Sequence, residues 1–269
     1  MLRTRLLTAI VLIPIVIWLV YLGGLPFVAL VAGLTALAEI EFCLLIARRF
    51  QPSHLFGVAL VWLFLLDARL TEGGVLRPGL VAVLCISLIW QIVRHRHLKT
   101  TDWTGVIASG LYLGAYGSCL IKLRQLPGDG LWWTLIAIPA ILFADSGAYF
   151  VGSAWGQHKL APSLSPGKTW EGYGGGILVG SLAAAVLAWL WGFRTDPGSA
   201  ITAHQGLLLG ALISGLAPIG DLTVSIIKRE AGVDNSGKLL PGHGGVLDRL
   251  DSVLWAAAIG YYYVVWLVK

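Results

Sequence analysis

The chain has 269 residues, 57% of them hydrophobic and only 12% charged, with a mean hydropathy of +0.80. A soluble domain carries about 25% charged residues, so this composition excludes an ordinary soluble enzyme and implies a polytopic membrane protein. The net charge of +5 requires no nucleic-acid partner, because lysine and arginine beside membrane spans, facing anionic lipid, account for it.

A membrane-crossing helix needs about 20 mostly apolar residues. Nine such spans are predicted, at roughly 6–22, 26–47, 54–70, 75–93, 103–121, 131–151, 173–193, 205–226 and 252–268. The fold class is therefore all-α, with about nine transmembrane helices. The N-terminal M-L-R-T-R-L-L-T-A-I-V-L has the charge order of a secretory signal, but no small-residue cleavage site follows and apolar sequence resumes at once. It reads as a retained first span. The second span carries Glu39 and Glu41 near one end. They are read either as snorkelling partners of Arg48 or Arg49 or as functional acids. The third span is the weakest, being short with Asp67 and Arg69 at its end. His95 and His97 stand among arginines without a third ligand and read as a solvated face. Cys43, Cys85 and Cys119 each lie inside an apolar run and read as small buried hydrophobes.

The sixth span carries Asp145 in L-F-A-D-S-G-A-Y-F, and the eighth carries Asp221 in A-P-I-G-D-L-T. Carboxylates inside a span are costly and face a protein interior or a watery cavity. Pro218 and Gly220 predict a broken or kinked helix before Asp221, which is tolerated where it lines a cavity. The loop after the sixth span reads G-Q-H-K-L-A-P-S-L-S-P-G-K-T-W-E-G. Its G-K-T does not complete a P-loop, because Pro162 occupies the first glycine position and no strand is expected before it. Ser165, Lys168 and Thr169 remain as candidate phosphate contacts ahead of a helix start.

With the N-terminus in the cytoplasm, thirteen lysines and arginines fall on the cytoplasmic side and six on the other. The positive-inside bias supports that orientation. It also puts the most polar stretch, Ser225 to Ser252, in the cytoplasm. That stretch reads S-I-I-K-R-E-A-G-V-D-N-S-G-K-L-L-P-G-H-G-G-V-L-D-R-L-D-S. Gly244 and Gly245 beside His243 allow backbone N–H groups to approach an anion closely. Asp248 and Asp251 at i, i+3 share a face if a helix begins there; a helix-capping role is the plainer alternative. Lys228, Arg229 and Arg249 supply cations. Cations, a glycine cradle and paired carboxylates are the parts that hold a polyphosphate with its divalent metal. No repeat or low-complexity linker divides the chain. Residues 1–130 form N-terminal helices and 131–269 the region bearing the chemistry, in one integrated membrane domain.

Ser225, Lys228, Arg229, Gly237, Pro241, His243, Gly244, Gly245, Asp248, Arg249 and Asp251 stand in register with the signature of the phosphatidate cytidylyltransferases, and the chain resembles that family. The resemblance covers roughly the last half, including A-D-S-G-A-Y and H-K-L-A-P-S-L-S-P-G-K-T-W-E-G. It departs at Asp234–Asn235, where the family has Lys-Asp, and Lys238 is the cation that would replace the missing one. The resemblance implies a many-spanning, often dimeric enzyme, a nucleotidyltransferase of phospholipid biosynthesis. Its reaction is Mg²⁺-dependent transfer of CMP from CTP to phosphatidic acid, with a second cation as an option. On that basis Asp221, Asp248, Asp251 and Asp145 are expected on metal. Asp221, Lys228, Arg229, His243, Asp248, Arg249 and Asp251 are expected in catalysis, and Lys168, Ser165, Thr169, Gly244 and Gly245 on the nucleotide. The expected location is a bacterial inner membrane, with the catalytic loops cytoplasmic. The rivals are a transporter with an Asp145–Asp221 relay and a CTP-using enzyme acting on another lipid.

Overall fold

The structure, a computed structural model, describes residues 2–70, 74–94, 100–194, 201–237, 239 and 244–268. Lys238, Pro241, Gly242, His243, His95 and His97 lie outside the described residues.

Each of the nine predicted spans coincides with helix. The helices are α1 (Leu2–Leu22), α2 (Gly24–Ala47), α3 (His54–Arg69), α4 (Leu76–Arg94), α5 (Thr100–Arg124), α6 (Gly130–Trp155), α7 (Trp170–Gly192), α8 (Ala203–Leu216), α9 (Pro218–Glu230) and α10 (Leu247–Tyr263), the last running into a π-helical turn at Val264–Val268. Among the described residues seven helical stretches are long and apolar enough to cross a membrane, α8 with α9 counting as one. α3, at 16 residues, is too short for that count, in keeping with its weak sequence signal. The all-α membrane fold is thus as expected. The one addition is a small hairpin, β1 (Lys159–Ala161) paired antiparallel with β2 (Ser165–Thr169).

The chain divides into two compact units, 1–122 with 227–250, and 123–226 with 251–269. In the first, α1 to α4 pack as sequential neighbours. α5 approaches α3 closely at Gly110, where a Cβ would lie 2.9 Å from the Gly57 Cα. Leu60, Leu65, Leu113 and Ile121 are fully buried there. The apolar residues Ile86, Ile89, Ile92 and Val93 of α4 are exposed, as a lipid-facing helix requires.

In the second unit α6, α7 and α8 meet along small residues. A Cβ on Gly176 would come within 2.9 Å of the Ala144 carbonyl, and one on Gly206 within 2.5 Å of the Ala184 carbonyl. Small residues bring helix backbones together where lipid offers no hydrophobic drive for association. Trp133, Ile136, Ile141, Leu209, Ile213 and Leu254 are fully buried. The helix break expected at Pro218 is present: α8 ends at Leu216 and α9 begins with Pro218. Proline suits a first helical position because it has no N–H to leave unpaired.

Candidate active site

In the second unit the hairpin is fastened to the start of α7. The Thr169 hydroxyl accepts the Gly172 N–H at 3.1 Å and caps the helix. Glu171 accepts the N–H groups of Gln157 and His158 at 3.2 Å and pairs with His158 Nδ1 at 2.6 Å. The Trp170 N–H donates to the His158 carbonyl at 2.9 Å. A strand does precede G-K-T, contrary to the sequence expectation. However, β1 is the antiparallel partner of β2, which itself contains Gly167, Lys168 and Thr169. A P-loop places glycines between strand and helix, so that reading still fails.

Lys168 Nζ is ion-paired with Asp221 Oδ2 of the first turn of α9, and each side chain is about a third exposed. The Tyr173 hydroxyl donates to the Gly215 carbonyl at 2.7 Å, tying α7 to the end of α8. These contacts border a cavity of about 370 Å³, lined by Asp145 and Tyr149 of α6, Leu160, Ser165, Lys168 and Thr169 of the hairpin, Tyr173, and Pro218. That volume is in the range of a small-molecule site. The structure therefore brings together Asp145, Ser165, Lys168 and Thr169, with Asp221 bound to one of them. Gly220 seats α9 on α10, since a Cβ there would lie 2.6 Å from the Asp251 carbonyl. Asp251 is buried, its Oδ1 accepting the Ser252 N–H at 2.6 Å.

In the first unit the signature stretch is built around Asp248. Lys228 Nζ donates to Asp248 Oδ1 at 2.7 Å, with side chains only 12% and 9% exposed. Oδ2 accepts the Ser236 N–H at 2.9 Å, the Ser236 hydroxyl at 3.0 Å and the Gly245 N–H at 3.1 Å. The Gly245 N–H, predicted to face a ligand anion, thus serves a carboxylate of the chain itself. Gly244 has φ +84°, a conformation that favours glycine. Asp248 also does capping-type work, drawing the residues before α10 onto its first turn. Arg229 is ion-paired with the exposed Asp234, so the residue that departs from the family pattern is neutralised by one that keeps to it. Arg249 is exposed on the first turn of α10.

Glu39 and Glu41 do not reach out to Arg48 or Arg49. Glu39 accepts the Ser109 hydroxyl at 2.7 Å and the Cys43 thiol at 3.2 Å, fully buried between α2 and α5. Glu41 Oε2 accepts the Leu247 N–H at 2.9 Å and lies 2.9 Å from the Ser236 hydroxyl, whose single proton it shares with Asp248. Snorkelling fails because both carboxylates find donors within the fold. Sequence reasoning left Glu41 undecided between snorkelling and function, and missed Ser236. The available signal was a pair of acids at the end of an otherwise apolar span.

Among the described residues no three His, Cys, Asp or Glu side chains gather in metal-binding range. What stands ready is lysine-held aspartate, Lys168 with Asp221 and Lys228 with Asp248. That donor set fits Mg²⁺ arriving with a polyphosphate, since Mg²⁺ uses one or two carboxylates together with substrate phosphates and waters rather than a dedicated protein cage.

Residues 3–267 match the cytidylyltransferase family. The chain belongs to that family. It is 32% identical over 265 residues to the phosphatidate cytidylyltransferase of Bacillus subtilis (strain 168), covering 97% of this chain and 96% of that protein. It is 35% identical over 278 residues to the Brucella suis phosphatidate cytidylyltransferase, covering 97% and 93%. The Synechocystis sp. protein of the same name is 34% identical over 298 residues, covering 98% and 97%. The similarity thus extends over the N-terminal helices, where the sequence alone suggested only shared hydrophobicity. In this cytidylyltransferase those helices supply Glu41 to the signature loop.

Proposed function

We propose that this membrane enzyme transfers a cytidylyl group from CTP to phosphatidate, forming CDP-diacylglycerol and releasing diphosphate. The observation that carries this reading is the Lys228–Asp248 pair inside the glycine-bearing signature of a chain that matches the cytidylyltransferase family over residues 3–267. A lysine and a carboxylate held together are a phosphate ligand and a metal ligand waiting to exchange partners.

The chemistry makes modest demands on acid–base groups. The phosphatidate phosphate is already an anionic oxygen nucleophile. One of its oxygens attacks the α-phosphorus of CTP, a new P–O bond forms, and the bond from the α-phosphorus to the oxygen bridging to the β-phosphorus breaks, its electrons leaving on diphosphate. The difficulty is bringing anions together, which positive clamps and in-line positioning overcome. Lys228, Arg229, Arg249 and Lys168 are the proposed clamps, with His243 of the same signature. Ser165, Thr169, Gly244 and Gly245 shape the surroundings of the nucleotide. The carboxylates proposed for Mg²⁺ are Asp221, Asp145 and Asp251 in the second unit and Asp248 in the first, any one or two of which would serve beside substrate phosphates and water; the ion would neutralise charge on those phosphates. Acyl chains would remain in the bilayer.

The proposal includes a bacterial plasma-membrane location with cytoplasmic loops, supported by the charge bias, and the homodimer that the family resemblance implies. The test is turnover by purified protein with CTP, Mg²⁺ and phosphatidate, following diphosphate and lipid product together. Stoichiometric release of both supports the reading. Substrate movement across vesicles without CTP consumption would instead support a transporter, and turnover only with a different lipid phosphate would move the acceptor assignment.

A further inference from the structure

Glu41 is 3% exposed, and its Oε2 atom binds two points of the signature loop. One is Ser236, whose N–H and hydroxyl lie at 2.9 and 3.0 Å from Asp248 Oδ2. The other is Leu247, the residue immediately before Asp248 and the first of α10. The loop closes over the carboxylate because it lacks side chains where they would collide. A Cβ on Gly237 would lie 2.4 Å from Glu41 Oε1, and one on Gly245 would lie 2.4 Å from Oε2. Oε1 is buried without a hydrogen-bond partner among the described residues. Among the described residues, both hydrogen bonds of the Glu41 carboxylate are thus directed at the frame that holds Asp248.

We propose that Glu41 is a positioning residue for cytidylyl transfer. It fixes Ser236 and the start of α10, and through them the direction of the Asp248 carboxylate. This rests on the reading of Asp248 as an active-site residue. A carboxylate displaced by about 1 Å can lose roughly 100-fold in rate without any change in its chemistry.

The test uses full-length Glu41→Gln, Glu41→Asp and Glu41→Ala variants in lipid nanodiscs. Three readouts are taken: thermal unfolding, kcat and KM for CTP well below the unfolding temperature, and amide exchange over residues 244–250. Glutamine keeps a carbonyl oxygen at the same reach, so Glu41→Gln should hold kcat within about tenfold of wild type. Glu41→Asp, shorter by one methylene, and Glu41→Ala should lose about 100-fold in kcat, with KM for CTP changed far less. Their Gly245 and Leu247 amides should exchange faster while the protein remains folded. Adding Ser236→Ala to Glu41→Ala should cost less than the product of the separate losses, because both act on the same frame.

The proposal is overturned if Glu41→Ala keeps kcat within about twofold at temperatures where it is folded. It is equally overturned if Glu41→Gln is as impaired as Glu41→Ala while its exchange matches wild type, since charge rather than position would then be at work. If the wild-type protein turns over no CTP, the functional reading fails by itself. Unchanged exchange at Leu247 in Glu41→Ala would still refute the positioning role.

Discussion

Lys228 and Asp248 form a nearly buried ion pair, Nζ to Oδ1 at 2.7 Å, between the last turn of α9 and the first turn of α10. Lys168 and Asp221 form a second lysine–aspartate pair among the described residues, but with about a third of each side chain open. The two pairs are alike in chemistry and differ in their surroundings, so their variants should separate stability from activity.

For the buried pair, removing one partner leaves a charge without compensation. Lys228→Met should cost about 3 kcal/mol of stability and should also abolish turnover. Asp248→Asn keeps the shape and some acceptors but loses a charge, and its activity should fall roughly 100-fold or more. Thermal unfolding beside steady-state kinetics checks both. An Asp248→Asn protein with near-normal turnover would leave this residue a purely structural cap.

The open pair should behave differently. Lys168→Ala and Asp221→Asn should change stability by less than about 1 kcal/mol, as expected of a partly exposed pair. Turnover should nevertheless drop by roughly 100-fold. An equal loss of stability and activity in these variants would indicate that the hairpin pair serves folding alone.

Removal of divalent metal is a third check. Chelation should stop turnover, and added Mg²⁺ should restore it without refolding, because no three-carboxylate cage stands among the described residues for metal to organise. Unfolding temperatures that fall sharply on chelation would contradict this.

Orientation can be read by cysteine labelling. Ser236 is 8% exposed and bonded to Glu41 and Asp248, so it is a poor reporter. Asp234, with its side chain 80% exposed, is the better one. Asp234→Cys in a Cys85→Ala background should react only from the cytoplasmic face of intact cells. Cys43 and Cys119 are buried. Labelling from outside would reverse the topology.

Much of this was legible in the chain because its signals are local. Apolar length gave the spans, Pro218 gave the break between α8 and α9, and charged residues spaced by a few positions gave the signature stretch. Ser165, Lys168 and Thr169 were recognised as a group because they are neighbours in sequence. Their hairpin was not, since three- and five-residue strands in a serine- and proline-rich loop show no alternation. The roles of Glu39 and Glu41 were hidden for a different reason. Glu41 meets Ser236 and Leu247 across 195 and 206 residues of chain, and no periodicity encodes a contact between one carboxylate and so distant an amide.

The hairpin carries one more consequence. Both of its ends are pinned near Glu171 and Thr169, so the backbone that presents Lys168 has been ordered by the time the protein is folded. Ordering a free loop of comparable length would oppose binding by about 1–2 kcal/mol for each residue fixed. Here that entropy loss falls on folding instead of on ligand capture. The segment acts as a finished template: in the proposed role of Lys168, capture of a phosphate would draw on charge, dehydration and release of the side chain from Asp221, with the backbone already in place.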